Sequence, residues 1–222
     1  IPGTVGATPV QNVGAYGVEV SDCITAVQAV SLTTGQVQTF SNAECQFAYR
    51  DSFFKSETGR QWVITQVTYE LTKTPRPKLQ YKDLQSLQSN ETVTQEDIRK
   101  AVMEIRSKKF PDWNKVGTAG SFFKNPIISN DACEKLLAIY PELPTYPVDE
   151  HSTKVALGWI LNNVCDLAGY CKDGVCLYKN QALVLVNKSA TTSEAIEKFA
   201  TFVAYEVQKK TGVTIEREVR TI

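Results

Sequence analysis

Helical periodicity is confined to the middle and later parts of this chain, and segments with the two-residue alternation of strands lie on either side of it. In "TQEDIRKAVMEIRSKK", from Thr94, apolar Ile98, Val102 and Ile105 recur at helical spacing. Asp97 follows Thr94 by three and lysines close the segment, so a capped helix is predicted. "SEAIEKFATFVAYEVQKK" reads the same way, with Thr192 as its cap and Gly212 in the usual position of a left-handed stop. Two more helices are predicted, one capped by Asn130 and running to about Ile139, the other over "TKVALGWILNNV". Upstream, "CITAVQAVSL" and "QVQTFS" flank "TTG" as a hairpin, and "QWVITQVTYELT" alternates as a half-buried strand. "KTPRPKL" then breaks any regular element. Downstream, "QALVLVNK" suits a covered strand and "VTIEREVR" a terminal one. Strand patterns at both ends with helices between them predict an α+β fold, with a lobe boundary near Phe110 to Val116.

At 222 residues the chain is long enough for one large domain or two modest ones. Lys+Arg and Asp+Glu are both 24, and this balance without a long basic run argues against nucleic acid or an anionic membrane as partner. No apolar run reaches the roughly 18 residues of a membrane span, and no secretory leader is evident at the start, so the protein reads as soluble and cytoplasmic. The six cysteines (Cys23, Cys45, Cys133, Cys165, Cys171 and Cys176) are scattered in a chain that does not need staples, and most read as buried thiols. With no C-x-x-C pair and His151 the only histidine, no metal site is expected.

Three segments are richer in chemistry. The first twenty residues carry Gly3, Gly6, Gly14 and Gly17 and read as a loop rich in backbone amides. "GSFFKNP", Gly120 to Pro126, has two readings: a short buried strand between turns, or a loop in which Ser121, Lys124 and Asn125 present a hydroxyl, a cation and an amide to a cleft. In "VTIEREVR", alternation places Val213, Ile215, Arg217 and Val219 on one face and Thr214, Glu216, Glu218 and Arg220 on the other. That charged face is either an edge protected against aggregation or the lining of a cleft.

Taken in order, "IPGTVGATPVQNVGAYG", "CQFAYRDSFFK", "GSFFKNP", "QALVLVN" and "EREVR" resemble the flavin-dependent UDP-N-acetylenolpyruvoylglucosamine reductases of bacterial cell-wall synthesis. "LTKTPRPKLQYKDL", which contains Tyr81, resembles the subclass with an inserted tyrosine loop. The resemblance implies a chain in three parts: residues 1–111 as the later part of a flavin-binding lobe, 112–211 as a smaller α+β substrate-binding domain, and 212–222 as a strand returning to the cofactor lobe. It implies FAD as cofactor, NADPH as reductant and UDP-N-acetylglucosamine enolpyruvate as substrate, reduced to UDP-N-acetylmuramate by a monomer.

By position, the resemblance makes Ser121 the proton donor, and Arg50 and Glu218 the groups that stabilise an enolic intermediate. A fixed guanidinium beside developing negative charge lowers the barrier, whereas Glu218 suits that place only in its protonated form. Tyr49, Tyr81, Lys109, Lys124, Asn125 and Gln181 match substrate-binding positions. Ile1, Pro2, Gly3, Val10, Gly14, Arg106 and Arg220 match cofactor-contacting ones. Each has a plainer reading, such as a solvated surface lysine for Lys109 and Lys124 or a strand start for Gln181.

Two departures from the family pattern carry expectations. No glycine-rich pyrophosphate loop of the G-x-G-S-N kind occurs in these residues, so the chain is expected to be a truncated or proteolysed form that binds FAD weakly and is inactive alone, with Glu218 and Arg220 poorly held. "CDLAGYCKDGVCLYKNQ" stands where the family has a glycine-rich run. The rival expectation is a UDP-sugar-binding module without redox activity.

Overall fold

In a computed structural model, which describes residues 3–74, 76–89, 92–189 and 192–220, the opening segment makes two short antiparallel strands, β1 (Gly14–Ala15) and β2 (Val18–Glu19). Tyr16 and Gly17 join them with φ of 55° and 80°, the positive values that let a two-residue loop match the twist of its strands. The chain divides into two units, Ile1–Met103 and Glu104–Ile222.

In the first unit, the alternating segments form an antiparallel sheet of β4 (Val37–Ser41), β3 (Ile24–Ser31) and β5 (Trp62–Tyr69), in that order, as their sequence predicts. Its apolar face packs Ile24, Val27, Ala29 and Phe40 against Cys45 and Phe54. Phe40 meets Phe53, Phe54 and Trp62 with ring centroids 5.1–5.4 Å apart, a spacing favourable to aromatic pairs. Gly59 lies directly against this cluster's backbone: a Cβ there would stand 1.9 Å from the Phe53 carbonyl oxygen and 2.8 Å from the Phe54 Cα. Neither neighbour is a flexible side-chain tip. Gly59→Ala is therefore expected to destabilise the unit by about 3 kcal/mol, the upper part of the range for overpacking, read as a lower denaturant midpoint; an unchanged midpoint would refute the packing described.

Cys45 is fully buried, and that burial, with Glu44 adding to it, pushes its thiol up to about 11. The folded chain thus holds this proton more tightly than the unfolded chain, whose thiol titrates near 8.5. The contribution is complete below about pH 8.5 and is lost as pH rises towards 11. Melting temperature is expected to fall more steeply over that window in the wild type than in Cys45→Ala; parallel curves would contradict it.

Near the end of the first unit, α1 (Gln95–Lys109) begins with the reciprocal cap read from sequence, Thr94 N–H donating to Asp97 Oδ2 at 3.0 Å and Asp97 N–H to Thr94 Oγ1 at 3.2 Å. This helix crosses the division between the units. A four-stranded antiparallel sheet follows the order β10 (Cys171–Lys172), β11 (Val175–Tyr178), β12 (Gln181–Asn187) and β6 (Gly117–Ser121). A second sheet comprises β7 (Ile127–Ser129), β9 (Ser152–Val155) and β8 (Thr145–Pro147). The helices are α2 (Asn130–Ile139), α3 (Leu157–Trp159), extended by a wide turn over Ile160–Val164, and α4 (Ser193–Thr211). Phe122, Phe123, Val155, Leu157, Ile160, Val203 and Val207 lie in one buried core. Thr192 caps α4 through Ala195 N–H, and Gly212 stops it at φ 72°, as predicted.

Four expectations are corrected. "TKVALGWILNNV" is not one helix: Thr153 and Lys154 pair with Ile128 and Ile127, and the helix starts only at Leu157. Ser129, not Asn130, caps α2, its hydroxyl accepting from Ala132 N–H at 3.3 Å. "VTIEREVR" is not a full strand but a single bridge, Phe123 to Arg217, because Pro126 has no N–H with which to extend a ladder along that side. Cys171 and Cys176, directly opposite on β10 and β11, form a disulfide, whereas Cys45, Cys133 and Cys165 are buried thiols. Among the described residues no helix is long and apolar enough to cross a membrane, and no cluster of three or more His, Cys, Asp or Glu could hold a metal ion.

Candidate active site

The proposed site residues fall into two groups, one in each unit. In the first unit, Tyr49 and Arg50 occupy the tip of a tight turn closed at both ends, Ala48 N–H donating to Asp51 O and Asp51 N–H to Ala48 O, each at 3.1 Å. Arg50 has φ 55°, a left-handed conformation uncommon for a long side chain and held only where the surroundings determine it. The surroundings are visible. Lys55 Nζ donates to the Arg50 carbonyl at 2.8 Å, and the guanidinium lies 5.2 Å from the centroid of the Tyr49 ring while its Nη2 donates to Gly14 O at 2.7 Å.

Gly14 and Val10, assigned to the cofactor by resemblance, thus have partners inside the protein. A Cβ on Gly14 would meet Glu19 Cγ at 2.7 Å, Val18 O at 2.9 Å and Arg50 Nη1 at 3.2 Å, so only glycine admits the arginine here. Val10 O accepts from Ser52 Oγ at 2.7 Å. Gly3 (φ 124°) and Gly17 (φ 80°) are different: nothing stands within 4 Å of a Cβ at either. Ile1 and Pro2 lie outside the described residues. Tyr81 is 40 % exposed and meets Tyr16 edge-on at 5.3 Å.

In the second unit, Ser121 ends β6, opposite Val184. Its hydroxyl makes no hydrogen bond to any described residue, and Gly120 before it has φ 78° with open space where a Cβ would be. Phe122 and Phe123, 4 % and 1 % exposed, anchor the segment that follows Ser121, as the buried reading of "GSFFKNP" expects. The tail runs alongside. Lys124 N–H donates to Glu216 O at 2.9 Å and Glu218 N–H to Phe122 O at 2.8 Å, which brings Glu218 beside the residue that follows Ser121. Arg217 ties the tail to α4 through the Glu197 carboxylate and Thr201 Oγ1. Glu218 is therefore held, contrary to the expectation from sequence; Arg220 is exposed.

Lys124 is 19 % exposed and pairs with Glu216 at 3.0 Å. Asn125 turns inward, its Oδ1 accepting from Leu157 N–H at 3.0 Å, so it caps α3. Gln181 reaches the same helix start, its Oε1 lying 3.1 Å from where a Cβ on Gly158 would be. Lys109 closes α1, and Asn180, next to Gln181, donates from Nδ2 to Lys108 O at 2.9 Å. Arg106 lies over the Phe110 ring at 4.5 Å. Sequence reading missed Glu19, Ser52 and Gly158, which touch these residues, and Asn12, which holds Glu19 and Ala48; Asn12, at 1 % exposure and φ 46°, is the most informative, since a buried asparagine in the left-handed region signals a side chain with partners.

The first unit thus presents an arginine on a turn with a positive-φ backbone, and the second a serine followed by residues that pair with the segment carrying a glutamate. Residues 111–222 match the domain described as "UDP-N-acetylenolpyruvoylglucosamine reductase, C-terminal domain". The chain is 42 % identical over 220 residues to the UDP-N-acetylenolpyruvoylglucosamine reductase of Aliivibrio fischeri, covering 99 % of this chain and 62 % of that one. It is 41 % identical over 224 residues to the enzyme of the same name from Porphyromonas gingivalis, covering 100 % and 66 %. It thus spans less than two thirds of the length of these curated relatives. The fold is that of the crystal structure of UDP-N-acetylenolpyruvylglucosamine reductase from Thermus caldophilus (TM-score 0.61, 18 % identity, covering 99 % of this chain and 60 % of that one). The chain belongs to the UDP-N-acetylenolpyruvoylglucosamine reductase family.

Proposed function

We propose that this chain serves the NADPH-driven reduction of UDP-N-acetylglucosamine enolpyruvate to UDP-N-acetylmuramate in peptidoglycan precursor synthesis, with Ser121, Arg50 and Glu218 as its reacting groups. The observation that carries this reading is the pairing of residues 122–124 with 216–218, which holds Glu218 beside the Ser121 segment while the serine hydroxyl has no hydrogen-bond partner among the described residues.

FAD is the cofactor the family implies. Of the positions that match cofactor contacts, Gly3 leaves open space where a Cβ would be, so a ligand can approach the backbone there. Gly14 and Val10 instead hold Arg50 and Ser52. When bound, FAD would carry hydride from NADPH to the methylene carbon of the enol ether. The protein then has two tasks. Arg50, and Glu218 as a carboxylic acid, stabilise the charge that moves into the substrate carboxylate. The Ser121 hydroxyl delivers its proton to the neighbouring carbon, leaving an alkoxide on Oγ. Lys124, Lys109, Asn125 and Gln181 supply the cations and amides that a nucleoside diphosphate sugar requires.

The test is to supply the protein with FAD, NADPH and the enolpyruvyl UDP-sugar and follow NADPH absorbance. Sugar-dependent oxidation with formation of UDP-N-acetylmuramate is expected. Binding of the UDP-sugar by calorimetry with no NADPH consumed would overturn the redox reading in favour of a binding module.

A further inference from the structure

We infer that Asn12 is a positioning residue for Arg50, acting through Glu19 and the Ala48–Asp51 turn; the inference rests on the role proposed above for Arg50. Asn12 is 1 % exposed, and its side-chain amide makes three hydrogen bonds that join the Glu19–Ser21 segment to the Ala48–Asp51 turn. Oδ1 accepts from Ser21 N–H at 3.0 Å, and Nδ2 donates to Glu19 Oε2 at 2.7 Å and to Ala48 O at 3.1 Å. Ala48 is the first residue of the turn that carries Arg50, and its N–H and C=O form both closing bonds of that turn. Glu19, by its Cγ, and Arg50, by its Nη1, both press on the Cα face of Gly14, whose carbonyl accepts the arginine's other terminal nitrogen.

One amide therefore fixes the root of the β1–β2 hairpin, the carboxylate beside Gly14, and the base of the strained turn. The guanidinium's direction follows from these three together: the turn sets where the side chain leaves the backbone, and the hairpin sets where the Gly14 carbonyl receives it. A carboxylate in place of the amide keeps the size, the acceptor for Ser21 and the tolerance of the left-handed backbone, but cannot donate, and faces Glu19 and Ala48 O with oxygen against oxygen. A misplacement of the order of 1 Å in a charge-stabilising group is enough to cost about 100-fold in rate.

The experiment compares wild type, Asn12→Asp and the double variant Asn12→Asp/Glu19→Gln, which restores a donor and acceptor between the two positions with their polarity exchanged. Turnover with FAD, NADPH and the enolpyruvyl UDP-sugar is measured beside hydrogen exchange of the Ala48 and Asp51 amides. Asn12→Asp is expected to lower kcat roughly 100-fold with KM for the sugar within about threefold, and to speed exchange at both amides. The double variant restores the 12–19 contact but leaves Ala48 O without its donor, so it is expected to recover about tenfold in kcat while exchange at Ala48 and Asp51 stays fast. Unchanged kcat in Asn12→Asp, or loss without recovery in the double variant, would overturn the inference. Should Asn12→Asp fail to fold, Glu19→Ala decides: kcat lowered by at least about tenfold with faster exchange at Ala48 supports it, and wild-type values overturn it. Absence of turnover in the wild type itself counts against the proposed reaction alone, and the exchange comparison still tests the coupling.

Discussion

Ser121→Ala is expected to lower kcat by roughly 10²- to 10⁴-fold, the usual consequence of removing a general acid, while leaving stability within about 0.5 kcal/mol of wild type. The two halves of this expectation come from the same geometry. Because the hydroxyl has no hydrogen-bond partner among the described residues, its removal orphans no donor or acceptor, and Gly120 beside it looks onto open space. Substrate affinity, measured by calorimetry with the UDP-sugar, should change little, since the serine's task arises only as charge develops on carbon. A variant with wild-type turnover would remove Ser121 from the mechanism. One that lost activity only by unfolding would make it a structural residue.

Phe123→Ala is expected to cost about 3–5 kcal/mol, as for other fully buried aromatic side chains. Its ring is 1 % exposed and meets Phe122 edge-on at 5.3 Å within the large core of the second unit. Its backbone also bridges Arg217, so cavity formation there loosens the tail that carries Glu218 as well as the core. Chemical denaturation followed by circular dichroism should show a lowered midpoint; a shift below about 1 kcal/mol would mean that the core collapses around the missing ring far better than its packing implies.

The hairpin of β3 and β4, the alternating β5, the capped α1 and α4, and the covered strand β12 were legible because each is specified by residues close in sequence: apolar periodicity, a Thr-x-x-Asp cap, a terminal glycine. "TKVALGWILNNV" misled because its helical spacing is real only from Leu157; Thr153 and Val155 are β-branched and find partners in β7 and β8 that no local pattern announces. The Cys171–Cys176 bridge was missed because six scattered cysteines give no pairing, although the Asp-Gly at 173–174 marks the two-residue turn that sets them opposite each other. At the site, the motifs single out Ser121, Arg50 and Glu218 only by position. They did not reveal that Asn125 caps a helix, or that Gly14 makes room for Arg50, since both facts depend on residues distant in sequence.

The two hydrogen bonds that flank the Phe123–Arg217 bridge have a kinetic consequence. They join positions about ninety residues apart in the chain, and loop closure of that length contributes nothing favourable until the intervening sheets and helices have shortened the path. This pairing is therefore expected to form late in folding, so that the Ser121 and Glu218 segments come together only once the rest of the second unit is in place. Recovery of protection from hydrogen exchange at the Lys124 and Glu218 amides after dilution from denaturant should accordingly lag behind recovery of the circular dichroism signal.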